Sequence, residues 1–146
     1  MGLTSALGVG PVALDTSIFI YLIEEAPQWL PLVRSIFASA TNGERVLVTS
    51  ELTLLEVLVV PYRTGDLSLA ERYEALLTRS RGLTMVNIER NQLRAAAQLR
   101  ARYRLRTPDA LQVAAALTAR CSTFLTNDRR LPQIGGLRVV QLSDLS

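Results

Sequence analysis

The sequence VALDTSIFI, residues 12–20, contains the first strand and the start of the first helix that the pattern predicts. The apolar run from Pro11 to Leu14 predicts a short buried strand, and Asp15-Thr16-Ser17 then supplies residues that start a helix. Four later runs have a similar apolar composition and are also predicted as strands: residues 45–49, 83–88, 123–126 and 137–142. A strand that leads directly into a helix, repeated along a chain, is typical of an α/β fold.

Helices are predicted between these strands, over residues 18–25, 31–40, 51–60, 68–79 and 89–103, with a last helix starting at Thr107-Pro108-Asp109. Ser50, Ser68 and Thr107 are expected to cap the helices that follow them, and Pro61 is expected to end the third helix. Because the strands are apolar throughout, we predict a three-layer α/β/α sandwich with a mostly parallel five-stranded central sheet. The 146 residues contain no linker or repeat, so one domain, residues 1–146, is predicted.

The composition points away from membranes and from the secretory route. No apolar run approaches the roughly 18 residues that a membrane helix needs, and residues 1–11 lack the charged lead of a signal peptide. The single cysteine, Cys121, cannot form an intrachain disulfide. This favours a reducing, cytoplasmic setting.

Two absent residue types narrow the chemistry. The chain contains no histidine and no lysine, so all 16 basic residues are arginines. This excludes Ser-His-Asp and Cys-His catalysis, histidine metal ligands and Schiff bases. An enzyme built from the remaining carboxylates, hydroxyls and arginines would most naturally use Mg²⁺ or Mn²⁺, which prefer oxygen ligands.

Four acids are expected at one edge of the sheet. Asp15 and Asp128 each follow a strand, whereas Glu56 and Asp109 lie on helices that should start near the same edge. In parallel sheets, ligands bind at the carboxyl ends of the strands. Four carboxylates packed there would repel one another, and a divalent cation would resolve the repulsion. We therefore predict one metal-binding site formed by these acids.

The three aspartates also have local structural interpretations. Taken alone, Asp15 is better explained as a helix cap, because it directly precedes a helix. Asp109 suits the dipole of the helix that it begins, and Asp128 suits an Asx turn. These residues support a metal site only through their expected convergence.

Glu56 is harder to explain structurally. It is the only charge between Glu51 and Arg63, in an otherwise apolar helix. A carboxylate in such a setting is costly to bury unless it is paired or bound to a metal. The spacing from Thr53 to Glu56 matches a capping box, but Ser50 offers a better helix start directly after the strand. A functional role is therefore favoured for Glu56.

Six arginines and no acid lie between Arg90 and Arg106. Such a positive segment suits a nucleic acid or an acidic partner. Taken alone, these arginines are better explained as a solvated helix face, and genome composition explains most of the preference for arginine over lysine.

Four stretches, taken in order, resemble one protein family: VALDTSIFI with Asp15, SELTLLEVL with Glu56, RTPDALQVAAAL with Asp109, and FLTNDRRL with Asp128. Their order and spacing are similar to those of the PIN-domain ribonucleases, and more narrowly of the VapC-type toxins of prokaryotic toxin–antitoxin pairs. The resemblance implies a compact α/β/α fold, dependence on Mg²⁺ or Mn²⁺, and endonucleolytic cleavage of single-stranded RNA. It also implies a homodimer and inhibition by a cognate antitoxin protein.

The resemblance further implies roles for individual residues. Asp15, Asp109 and Asp128 resemble the acids of the family's metal site, and Glu56 resembles the glutamate on its third helix. The supporting polar residues are expected to be Thr16, Thr126 and Asn127.

The arginines expected to contact RNA follow from local positive charge rather than from the resemblance. They are Arg102, Arg104, Arg106 and Arg129. For Arg129, which adjoins Asp128, neutralisation of that acid is the alternative.

Other functions stay open. Phosphoreceiver domains and haloacid-dehalogenase-like phosphatases are disfavoured, because both use a lysine that this chain lacks. Two alternatives remain: a PIN nuclease that processes RNA without acting as a toxin, and a non-catalytic module whose acidic pocket receives an arginine from a partner protein.

Overall fold

Five strands form one parallel sheet in the computed structural model, which describes residues 3–145. The strands are β1 (Val12–Leu14), β2 (Leu47–Ser50), β3 (Leu83–Val86), β4 (Thr123–Thr126) and β5 (Arg138–Gln141). Their order is β3-β2-β1-β4-β5, and every neighbouring pair is parallel. The predicted sheet is confirmed, and its strands all run the same way.

The sheet reverses its direction of growth between β1 and β4. From β1 the chain moves outward to β2 and β3, and it then returns to place β4 on the other side of β1. Such a reversal opens a crevice at the carboxyl ends of the two strands involved. Asp15 directly follows β1, and Asp128 lies two residues beyond β4.

Helices cover both faces of the sheet, which confirms the three-layer sandwich. The helices are α1 (Leu3–Leu7), α2 (Thr16–Ile23), α3 (Leu30–Thr41), α4 (Leu52–Thr64), α5 (Leu67–Arg79), α6 (Arg90–Tyr103) and α7 (Thr107–Thr118). Ala13, Val48 and Phe124 pack in one apolar cluster with α6 and α7, whereas Val12 and Leu14 pack in a second cluster with α2, α3 and α5. Successive strand residues point to opposite faces, so each strand contributes to both clusters.

Alanine lets α7 lie close to the sheet. Ala110, Ala114 and Ala116 are completely buried, and they belong to the cluster that includes Ala13 and Val48. Small side chains bring the helix axis near the strands. The first turn of α7, which carries Asp109, is thereby held at the edge of the sheet where β1 and β4 end.

Three predictions about helix ends are wrong. The helix α4 continues through Pro61 and ends at Gly65, which has a φ of 74°. Because Pro61 is buried in the helix packing, apolar burial offsets the hydrogen bond that proline cannot donate. At the start of α5 the cap is Asp66, which accepts from the Leu69 amide at 3.0 Å, rather than Ser68.

The third wrong prediction concerns Thr107, which is the first residue of α7 rather than its cap. The cap position belongs to Arg106, which makes no side-chain capping bond. The Ser50 hydroxyl does accept from the Leu52 amide, at 3.1 Å, at the predicted start of α4. Among residues 3–145, no helix has the length and apolar character needed to cross a membrane. The extent of a single domain, residues 1–146, stays a prediction.

Candidate functional site

Asp15 lies at the centre of the crevice and is held from three sides. Its amide donates to the Leu125 carbonyl at 3.0 Å, so its backbone continues the pairing of β1 with β4. One carboxylate oxygen accepts from the Thr16 amide at 2.7 Å, and the other accepts from the Thr126 hydroxyl at 2.6 Å. Asp15 therefore caps α2, as its local interpretation predicts, while it faces the crevice.

Thr126 connects Asp15 to Asp128. Its hydroxyl donates to Asp15 and accepts from the Asp128 amide at 3.0 Å. The Asp128 carboxylate accepts in turn from the Arg130 amide at 3.0 Å, which is the hydrogen bond of an Asx turn. The local interpretation of Asp128 is thus confirmed, and the same turn holds its carboxylate beside the end of β4.

Two arginines neutralise part of the acidic charge. Arg130 binds Asp128 through two parallel hydrogen bonds, from Nε to Oδ1 and from Nη2 to Oδ2, each 3.0 Å long. Arg106 lies 3.2 Å from Asp109 through Nε and 3.7 Å from Asp128 through Nη2. Arg106 therefore bridges the start of α7 to the end of β4.

The two central carboxyls have opposite pKa shifts. Burial is the main cause that raises the pKa of Asp15, and the negative charges of Asp109 and Asp128 add to the effect. Hydrogen bonds from Thr126 and Thr16 oppose it. The pKa of Asp128 is lowered, first by its side-chain hydrogen bonds with Arg130. A nearby cation would offset the cost of ionising the partly buried Asp15 carboxyl.

Glu56 is linked to the aspartates by a hydrogen bond from the Thr16 hydroxyl. Thr16 donates from Oγ1 to Glu56 Oε1 at 2.7 Å, and Thr16 directly follows Asp15 in the chain. Glu56 lies beyond the first turn of α4, so it is not part of a capping box with Thr53. The structure thus brings the three aspartates together and joins Glu56 to them through Thr16.

A buried polar network contacts Glu56, and of its members the sequence predicted only Thr16 as a supporting residue. Its members are Thr16, Thr49, Thr53 and Gln112, all 8% exposed or less. Gln112 donates to Thr53 at 2.8 Å and to Thr16 at 3.3 Å, and the Ser50 amide donates to Gln112 at 3.3 Å. One signal was available: Gln112 is the single polar residue between Asp109 and Thr118 in α7.

Each hydroxyl has only one proton, which gives this network a direction. Because Thr49 donates its proton to the Leu14 carbonyl at 3.0 Å, the 2.8 Å contact between Thr49 and Thr53 is satisfied with Thr53 as donor. Thr16 likewise uses its proton on Glu56. The side-chain amide of Gln112 therefore begins two chains of hydrogen bonds. One runs through Thr16 to Glu56, and the other runs through Thr53 and Thr49 to the Leu14 carbonyl.

An open cleft of about 450 Å³ lies over the site, lined by Asp15, Ser17, Tyr21, Asn127, Asp128 and Arg130, among others. The ring of Tyr21 stacks on Trp29 with centroids 6.1 Å apart. Asn127 donates to the Tyr21 hydroxyl at 3.4 Å and accepts from the Ser143 amide at 3.2 Å. Asn127 thus connects the cleft wall to the segment after β5.

The arginines expected to contact RNA have different surroundings. Arg106 contacts the acids, as described above. Arg129 instead pairs with Asp144 at 2.8 Å. Arg102 is exposed and its guanidinium lies 5.3 Å from the Tyr103 ring centre, and Arg104 is exposed at the end of α6. Their role in binding RNA stays a prediction.

The carboxylate ligands that the site offers are of the type that suits a hard divalent cation. Asp15, Asp109 and Asp128 offer only carboxylate oxygens, the ligands that Mg²⁺ and Mn²⁺ prefer. As their side chains are placed, however, no group of three acidic or cysteine side chains within residues 3–145 is close enough to hold one ion. Arg106 and Arg130 already bind oxygens of Asp109 and Asp128. The four-acid metal site therefore stays a prediction.

Comparison with protein-family models finds a match to the PIN domain over residues 12–137. Among solved structures, the chain is similar to VapBC2 from Rickettsia felis bound to a DNA fragment from its promoter. The TM-score is 0.68 at 17% identity, covering 90% of this chain and 98% of the other. A comparison with curated protein sequences finds no match.

Two further solved structures are similar. One is a toxin–antitoxin complex from Klebsiella pneumoniae, with a TM-score of 0.64 at 21% identity over 86% of this chain and 94% of the other. The other is DNA-bound VapBC from Salmonella typhimurium, with a TM-score of 0.63 at 21% identity over 92% and 99%. At such identities these likenesses show the fold.

Proposed function

The chain belongs to the PIN domain family, and on that premise we propose that it is an endoribonuclease that cleaves single-stranded RNA with Mg²⁺ or Mn²⁺. PIN domain proteins of the VapC type are generally nucleases that use a divalent metal. The observation that supports the proposal is that Asp15, Asp109 and Asp128 lie near one another at the crevice between β1 and β4.

Asp15, Asp109 and Asp128 would hold the metal ion, with Glu56 close by through Thr16. A bound ion of this kind lowers the pKa of its water and stabilises charge that develops on a phosphate. Thr126 fixes the direction of the Asp15 carboxylate through its 2.6 Å hydrogen bond. The partial burial of Asp15 lowers the local dielectric constant around that carboxylate, which strengthens its attraction for a cation.

Arginine charge would bring the RNA to the acids. Arg102, Arg104 and Arg106 lie near the start of α7, and all three are exposed. Guanidinium groups bind phosphate oxygens with their planar donor fork. RNA affinity should therefore fall as salt rises, with a log–log slope of about −0.7 for each phosphate that is neutralised on a single strand.

The experiment is cleavage of defined single-stranded RNAs by protein purified free of any bound partner. With Mg²⁺ the wild type should cut, and EDTA should abolish the activity. Asp15→Asn and Asp109→Asn should each lose activity by a factor of about 100 or more, since each removes a metal ligand. Asp144→Asn is the matched control, because Asp144 pairs with Arg129 outside the cleft. Full activity in Asp15→Asn, or in EDTA, would refute the proposal.

We assign the biological role of toxin in a toxin–antitoxin pair, which acts in the cytoplasm as a homodimer and is inhibited by a cognate antitoxin. The support is that the similar solved structures are VapBC or toxin–antitoxin complexes. Expression of the chain alone should arrest growth, and co-expression of a small protein encoded beside it should restore growth. An active nuclease without growth arrest would instead favour a role in RNA processing.

A further inference from the structure

Arg130 occupies an unusual position for an exposed arginine. Its side chain is 72% exposed, yet both donors of one guanidinium edge bind the Asp128 carboxylate at 3.0 Å. It also lines the same cleft as Asp15. The neighbouring Arg129 has similar exposure, 63%, but pairs with Asp144 instead. Of these two adjacent arginines, Arg130 is the one directed at the acids.

The Asp128 carboxylate cannot serve a guanidinium and a divalent cation in the same way at once. Arg130 engages both of its oxygens, and the Arg130 amide also donates to Oδ1. A cation that takes Asp128 as a ligand would compete for these oxygens and would repel the guanidinium charge at contact distance. Because the Arg130 side chain is long and exposed, it can leave Asp128 without disturbing the packing of the core.

A displaced Arg130 would remain at the cleft, since its backbone is held by the turn at Asp128. The negative group that would enter there is a phosphate of the substrate, and a planar guanidinium binds phosphate through two donors. We propose that Arg130 exchanges partners, binding Asp128 before the divalent cation arrives and an RNA phosphate afterwards. This inference rests on the proposed function and makes Arg130 a phosphate-binding residue of the site.

The first test measures metal binding without RNA. Mn²⁺ is titrated by calorimetry or by electron paramagnetic resonance into the wild type, Arg130→Gln and Arg129→Gln. Both variants lose one positive charge at adjacent positions, so the control corrects for the general change in charge. Loss of a competing ion pair of this exposure should tighten Mn²⁺ binding about two- to fivefold in Arg130→Gln relative to Arg129→Gln.

The second test measures RNA cleavage at saturating Mn²⁺. Arg130→Gln should lower kcat/KM by about tenfold or more, mainly through a higher KM, because a charge-assisted contact to phosphate is lost. Arg130→Lys should recover part of the loss, since it restores the charge without the planar fork. If Arg130 had only a structural role, its replacement would not both tighten Mn²⁺ binding and raise the KM for RNA.

The outcomes are distinguishable. Tighter Mn²⁺ binding together with a raised KM supports the exchange. Equal Mn²⁺ affinity in Arg130→Gln and Arg129→Gln, or a KM unchanged by Arg130→Gln, overturns it even if the wild type cleaves RNA normally. If the wild type does not cleave RNA, the proposed function fails and the exchange fails with it. Matching urea unfolding midpoints verify that the variants are folded.

Discussion

Gln112 offers the sharpest test of the packing beneath the site. The side chain is 3% exposed and makes one short hydrogen bond, to Thr53 at 2.8 Å. Three longer contacts join it to Thr16 and to the Ser50 amide, at 3.3 Å each, and to the Thr49 hydroxyl, at 3.4 Å. We consider two replacements: Gln112→Met, which nearly conserves the volume, and Gln112→Ala, which does not.

The expected loss of stability can be worked out from these contacts. A buried hydrogen bond contributes about 0.5–1.5 kcal/mol net, and the three longer contacts each contribute less than the short one. Gln112→Met should therefore lower the free energy of unfolding by about 1–3 kcal/mol. Gln112→Ala adds a cavity and should cost about 2–4 kcal/mol, unless water enters and restores part of the bonding.

The assay is urea unfolding followed by circular dichroism, in EDTA so that metal binding does not contribute. Gln98→Met is the matched control, because Gln98 is exposed on α6 and its replacement should change stability by less than about 0.5 kcal/mol. Wild-type stability in Gln112→Met would refute the reasoning, since the network would then contribute nothing net. A changed slope against urea would instead indicate a change in the unfolded or folded ensemble.

The remaining predictions concern pH and backbone strain. The raised pKa of Asp15 means that ionising it costs folded-state stability, so without metal the wild type should gain stability relative to Asp15→Asn as pH falls from about 7 to about 4. Asp128 should behave oppositely, because Arg130 lowers its pKa: stability relative to Asp128→Asn is present at neutral pH and is lost below about pH 4. Urea unfolding across pH measures both, and parallel curves for the two variants would contradict these shifts. Gly82→Ala should destabilise the chain by about 2 kcal/mol or more, because φ is +82° and a Cβ would lie 2.7 Å from the Ala40 carbonyl oxygen. Gly43→Ala, with φ of +77° and open space, should cost only about 1 kcal/mol, and equal losses would show that the clash is relieved.

Much of the fold follows from local sequence pattern. The run TFLT predicts β4 with the bounds that the structure has, Thr123–Thr126. Apolar strands that alternate with helices specify a parallel sheet, because each strand needs cover on both faces. The helix ends were harder to predict, since proline disfavours a helix interior but burial of Pro61 outweighs that preference.

Part of the candidate site was also predictable. Acids that follow parallel strands lie at one edge, so the proximity of Asp15 and Asp128 follows from topology. The placement of Asp109 beside them depends on the close packing of α7, which its alanines indicate. Thr16 donates to Glu56 through its hydroxyl and to Asp15 through its amide, and the direct membership of Glu56 in the metal site stays a prediction.

The amino-acid sequence alone specifies that Asp15 and Asp128 lie at the crevice between β1 and β4, because strand direction places every strand end without reference to side-chain partners. How those carboxylates are paired depends on the tertiary structure. Arg129 and Arg130 are identical neighbours in the sequence, yet one binds Asp144 and the other binds Asp128. Likewise, Gln112 connects to Thr53 across 59 positions of sequence. Such pairings depend on the direction of each side chain in space, which the spacing of residues along the chain does not specify.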